Sequence, residues 1–187
     1  LTAQTGYERY MGKESGEQSL RKCIVLLLLG VLFTAPLISR ENAENTVITV
    51  RSMKYGRGRY IAAKAMVLFT ELFIVFGCIE WSLYDSAQQK YGMNDMWASI
   101  RSLSFYDGLC KGMNIGMVLF LQLAVRFLIL YACMSLYAAL TYKMKNVMAA
   151  ALMGILVFVL PACVYMMGYG QMAVFTLADE MMTGMWL

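Results

Sequence analysis

Two charges stand inside apolar runs of this chain, Glu71 and Arg126. A charge at mid-membrane costs about 2.5–3.5 kcal/mol on insertion scales, so such groups face a protein interior or a polar path and pair there. Gln122 lies one helical turn before Arg126, on the same face. Glu71 is eleven residues past Tyr60, about 16 Å along a helix, and Arg126 is thirteen past Met113, about 20 Å. With the two runs antiparallel, both charges fall at similar depth. The expectation is a Glu71–Arg126 pair with Gln122 beside it, which either holds the bundle or touches a polar substrate. Glu80, next to Trp81, reads as a solvated charge at an outer interface.

Other chemistry is thin. The chain has no histidine, which removes the commonest general base, proton shuttle and metal ligand. Cys23, Cys78, Cys110, Cys133 and Cys163 are scattered without a Cys-x-x-Cys pair and read as small packing residues. The 17 methionines read as flexible packing, because thioethers without Cys or His partners make a weak copper site. There is no Gly-x-x-x-x-Gly-Lys-Ser/Thr loop to bind ATP, no Gly-x-Ser-x-Gly and no His-Glu-x-x-His. No catalytic residue and no metal site is expected.

The elements that must position these groups are membrane spans. The 187 residues are 60% hydrophobic and 15% charged, against about 45–50% and about 25% in soluble domains. Mean hydropathy is +0.57. The excess lies in blocks, which predicts an all-α, polytopic transmembrane bundle with about four spans: 23–38, 60–84, 113–140 and 147–168. Pro36 falls in the last turn of the first span, where a helix end costs least, and Pro161 predicts a kink in the fourth. Residues 1–22 read as an extracytoplasmic loop, 39–59 as a cytoplasmic loop and 85–112 as an outer loop with a short interfacial helix at 97–103. Residues 169–187 read as an outer or re-entrant segment. Gly112-x-x-x-Gly116, Ser135-x-x-x-Ala139 and Ala150-x-x-x-Gly154 are spacings that permit close helix approach.

Basic residues orient the bundle. The stretches 39–60 and 141–146 hold seven Lys and Arg in 28 positions, whereas 1–22, 85–112 and 171–187 hold seven in 67. The denser set marks the cytoplasmic side. Within it, 41–64 has an acidic start, Glu41 and Glu44, then a basic glycine turn with Arg51, Lys54, Tyr55, Gly56 and Arg57. That is more than a tether needs.

The segment Glu41–Lys64 resembles the cytoplasmic loop between the second and third spans of type-2 ABC-transporter permeases. There an acidic start, a short helix, a Ser-x-Lys-Tyr-Gly-Arg-like turn and an Ala-Lys entry recur. Ser52, Lys54, Tyr55, Gly56 and Arg57 match the turn, and Ala63-Lys64 the entry. Ile100-Arg101-Ser102-Leu103, Met134–Ala139 and Leu160-Pro161 resemble the family's outer loop, fourth span and fifth span, so the resemblance covers about residues 23–168. Thr46 and Arg101 depart from it, at a common Gly-Thr pair and a usual Gln. By this mapping the first and sixth spans lie outside the sequence, and the chain reads as a piece of a longer protein.

The resemblance implies a permease subunit of an ABC exporter, with Glu41, Glu44, Arg51, Lys54, Tyr55, Gly56 and Arg57 coupling it to a separate ATP-binding subunit. That partner would hold ATP and Mg, leaving no cofactor in this chain. A second permease half and membrane lipid complete the expected partners, with no nucleic acid. The expected location is a multi-pass place in a cell membrane, the bacterial cytoplasmic membrane. Two rivals stand beside it. A non-transporting scaffold would need the spans but not the loop. A membrane-embedded enzyme would have to draw on Asp95, Tyr106 and Asp107 of the outer loop.

Overall fold

The structure is a computed structural model that describes residues 16–43, 56–92, 96–99 and 112–166. It is an all-α bundle. The helices are α1 (Gly16–Ala43), α2 (Gly56–Tyr91), α3 (Ile115–Thr141), α4 (Val147–Gly154) and α5 (Leu160–Met166), with a π-helical turn, Ile155–Val159, joining the last two. The segments Gly58–Tyr91, Ile115–Thr141 and Val147–Val164 are long and apolar enough to cross a membrane, and Ile24–Ser39 is a shorter apolar helix. Large side chains such as Phe33, Phe73, Phe120, Leu128 and Leu156 face outward. In water that surface would drive aggregation; against lipid tails it costs nothing. The protein is membrane-embedded.

α1 packs against every other helix, most extensively against α3 and α4. Small residues explain how it comes so close. A Cβ on Gly30 would sit 2.8 Å from Met134 Sδ, and one on Gly154 would sit 2.6 Å from Val31 Cγ1 and 2.7 Å from the Tyr137 ring. The core forms at that node, with Val31, Leu130, Met134, Tyr137 and Ala150 essentially without solvent contact. Tyr137 spends its hydroxyl well: Oη donates to Ala150 O at 2.8 Å, tying α3 to α4. Of the three small-residue spacings, Ala150-x-x-x-Gly154 lies in this contact, whereas Ser135 and Ala139 face outward. Gly112 has open space around it, and Gly116 approaches Met96 O.

α2 is held on α3 by rings. Phe127 meets Phe69, Phe73 and Phe76 at centroid distances of 5.1, 5.6 and 5.6 Å. The first two are edge-to-face and the third is tilted, and such ring pairs add about 0.5–1.5 kcal/mol each beyond area burial.

Helices overrun the apolar runs at several points. α1 starts at Gly16, so 16–22 are helical and not loop. Extending an existing helix fixes one residue per hydrogen bond, whereas starting one fixes three. α1 also passes through Pro36, which is exposed, and continues to Ala43. α2 runs to Tyr91, so 85–91 are helical where an outer loop was expected. A local bond supports it there: Gln89 Nε2 donates to Asp85 Oδ2 at one-turn spacing. Gly92 then ends the helix with φ +65°, a left-handed conformation that glycine adopts without Cβ strain. Residues 96–98 are turn and bend, not the start of an interfacial helix; residues 100–103 lie outside the described residues. Their carbonyls cap α3: Gly116 N donates to Met96 O and Ile115 N to Ala98 O, at 2.9 and 3.0 Å. Ser99 and Asn114 form an isolated bridge, with no strand among the described residues.

Pro161 acts through the π turn. Leu160 N donates back five residues to Ile155 O, so the ladder has already changed register one residue before the proline, which has no N–H.

Candidate functional site

The two ends of the bundle differ in chemistry. One end gathers the α1 C-terminus, the α2 N-terminus and the α3–α4 turn. A groove of about 400 Å³ there is walled by all three of the helices α1, α2 and α3, from Leu37 and Ile38 to Tyr60 and Tyr142. Arg59, Lys143 and Lys145 are exposed at this end. The helix ends at Ala43 and Gly56, which frame residues 44–55, therefore lie on the same side as the basic turn 142–146.

Glu41 lies in the last turn of α1, where the sequence suggested the start of a separate short helix. Gly56 and Arg57 are the first residues of α2, not a turn ahead of it. Glu44, Arg51, Lys54 and Tyr55 lie outside the described residues, and so does the expected short helix. A helix N-terminus carries about +0.5 charge and prefers acids. The first turn of α2 has no acid, and it has Arg59. Helix stability does not account for a basic residue there, so its reason must lie in what this end faces.

Ser39 and Thr141 are buried at this basic end, and the larger buried polar groups lie toward the other end. Glu80, Gln122 and Arg126 are 6%, 6% and 7% exposed. Lys22, just ahead of the apolar part of α1, lies in electrostatic range of Glu80 and Arg126. Burial pushes the Lys22 ammonium below its ordinary pKa; the Glu80 carboxylate opposes that and the Arg126 guanidinium adds to it. Glu80 is thus a buried group among cations and not the solvated boundary charge its Trp81 neighbour suggests. It ends a four-residue stripe, Leu68, Leu72, Phe76, Glu80, in which every member is buried. That spacing was the available signal, because a side chain repeated every four residues stays on one face. Lys22 falls just ahead of the apolar stretch Ile24–Ser39, so hydropathy leaves it outside the span.

The expected Glu71–Arg126 pair is not formed. Phe127 packs against Phe69 and Phe73, so the two backbones are at similar depth. Arg126 belongs to the buried stripe of α3 with Gln122, Leu130, Met134 and Tyr137, the stripe that carries Met134 and Tyr137 to α1 and α4. A helical Cα–Cβ bond tilts toward the N-terminus, which aims Arg126 toward Gln122 and away from the basic end. Glu71 Oε2, Gln122 Nε2 and Arg126 Nε are buried without a hydrogen-bond partner among the described residues. Leaving such a group unpaired costs about 1–3 kcal/mol, more for a charged one.

A second groove, about 590 Å³, runs between α2 and α3 at this end; its lining includes Phe76, Glu80, Trp81, Phe120 and Phe127. Among the described residues no three His, Cys, Asp or Glu side chains come together as a metal site. Cys78, Cys133 and Cys163 are free thiols.

Lys22 gives a test by titration. Its folded pKa lies below 10.5, so between those two values the unfolded chain binds the extra proton. Stability then rises with pH through that window. Lys22→Met is expected to flatten that alkaline rise, read by a detergent thermal-shift series across pH.

No protein-family model, curated protein or solved structure matches the chain.

Proposed function

We propose that the chain is the membrane-spanning permease subunit of an ATP-driven exporter of the type-2 ABC kind, in a bacterial cytoplasmic membrane. The observation that supports the reading is where the helix ends framing residues 44–55 lie. Ala43 and Gly56 stand at the end that also presents Arg59, Lys143 and Lys145. The loop's sequence is the part that resembles the family's coupling segment. A separate ATP-binding subunit seats on it, holds ATP and Mg, and drives the helices by its own dimerisation. α1 is suited to receive that push, since its C-terminal turn enters the loop and its length touches every other helix. A second permease half completes the transporter, and the chain itself performs no bond chemistry. The buried groups Glu80, Gln122 and Arg126 supply polar surface at the far end, within reach of a substrate path.

The test is a mild-detergent pull-down of the full-length protein, wild type beside a Glu41→Lys/Glu44→Lys/Arg57→Glu variant, with partners identified by mass spectrometry. The expected result is an ATP-binding subunit that co-purifies with wild type and falls at least tenfold in the variant. An ATPase held equally by both, or none at all, removes the coupling reading and puts the scaffold reading ahead.

A further inference from the structure

We infer that the groove at the basic end is a site for one acidic phospholipid, with Lys64 as its headgroup contact. This goes beyond the permease reading and does not depend on it. The groove is open to the lipid side between α1, α2 and α3, and no carboxylate lines it. Its polar lining is Lys64, Tyr60, Tyr131, Tyr142 and Ser135; the remainder is aliphatic. Lys64 lies eight residues into α2 from Gly56, about 12 Å below the helix start. Its Nζ is buried, and it stands 4.8 Å from the centroid of the Tyr60 ring.

Two features of the groove identify the occupant by charge and shape. An ammonium in a groove that no carboxylate lines matches the charge of a phosphate diester. Aliphatic walls continuing toward the bundle centre match an acyl chain. Arg59, Lys143 and Lys145 surround the mouth and draw anionic headgroups to it. The α2–α3 groove at the other end is the built-in contrast, because its charged lining group is Glu80. A zwitterionic lipid carries its own cation beside the phosphate, so Lys64 adds little to its binding.

The experiment uses the full chain, purified and delipidated in detergent. Thermal midpoint and bound-lipid occupancy by native mass spectrometry are followed on titration with phosphatidylglycerol, phosphatidylcholine or inorganic phosphate. Phosphatidylglycerol is expected to bind and raise the midpoint, and the other two are not. Lys64→Gln should weaken phosphatidylglycerol about fivefold, the worth of one cation near an anionic surface, and Lys64→Arg should restore it. Ala139→Phe, at an exposed position in the aliphatic wall, should block the chain while keeping the charge. It also serves if Lys64→Gln does not fold. Equal binding of phosphatidylcholine, a full effect from phosphate alone, or phosphatidylglycerol binding unchanged in Lys64→Gln or Ala139→Phe would each overturn the site. The first of those would leave the groove as a seat for another helix. Because the readout contains no ATPase, its failure is separate from failure of the permease reading.

Discussion

Replacing Glu80 with Leu is expected to destabilise the bundle by about 3–5 kcal/mol, the usual cost of stranding a buried charge by removing its opposite. Glu80 is the single carboxylate that is buried among the described residues, and Lys22, which also feels the Arg126 guanidinium, lies in its electrostatic range. Without it, Lys22 loses the carboxylate that favours its charge while the Arg126 guanidinium still opposes it. Arg126→Leu alone is expected to cost less. It removes a guanidinium whose Nε has no hydrogen-bond partner, and it leaves Glu80 opposite Lys22. The double variant Glu80→Leu/Arg126→Leu should recover at least half of the Glu80→Leu loss, since apolar replacement of a buried charged group as a set is often neutral or better. Glu71→Leu is the control. Glu71 is only half-buried and its Oε2 has no hydrogen-bond partner, so its loss should change the midpoint little or raise it. Thermal denaturation in detergent, followed by size exclusion, separates these outcomes. If Glu71→Leu is the damaging change and Arg126→Leu couples to it, the polar centre lies with Glu71 and this assignment falls.

Which parts of this arrangement were readable before the structure follows from the physics of each signal. Apolar blocks of twenty residues can only be spans, so the all-α membrane bundle was legible from composition and block length alone. Helix ends were not. Residues 16–22 and 85–91 are polar, and hydropathy stops where lipid stops, not where the backbone ladder stops. The Gln89–Asp85 bond supports α2 past the apolar run, and a window average cannot weigh it. The charged site was half legible. Depth can be counted along a helix, and it placed Glu71 and Arg126 at a similar level. Facing cannot be counted without knowing which neighbour a helix meets. Arg126 lies in electrostatic range of Lys22 on α1, which hydropathy leaves outside the apolar stretch, and the aromatic residue beside Glu80 makes it read as interfacial. The residues 44–55 that carry the family resemblance lie outside the described residues, so the structure bears on that loop only through the helix ends that frame it.

Gly154→Ala is expected to cost about 1–3 kcal/mol, the range for overpacking a filled core, although alanine is the better helix former by about 1 kcal/mol. The reason is the three-helix node. The added Cβ would stand 2.6 Å from Val31 Cγ1 and 2.7 Å from Tyr137 Cε2, distances at which something must move. Val31 is fully buried on α1, and Tyr137 is held by its bond to Ala150 O, so neither has a free rotamer to retreat into. Gly77→Ala in α2 is the matched control: nothing lies within 4 Å of its Cβ, so propensity acts alone and the change should be neutral or stabilising. Val31→Ala removes the closest atom, and Gly154→Ala combined with it should cost less than the sum of the two, because the new methyl fills part of the space the old one left. Additive losses would show that the glycine is not in the contact. Tyr137→Phe should cost about 0.5–1.5 kcal/mol for the lost hydrogen bond, and it should also soften the penalty at Gly154, since an untethered ring can tilt away. That coupling is the specific mark of a node in which ring, glycine and valine share one space.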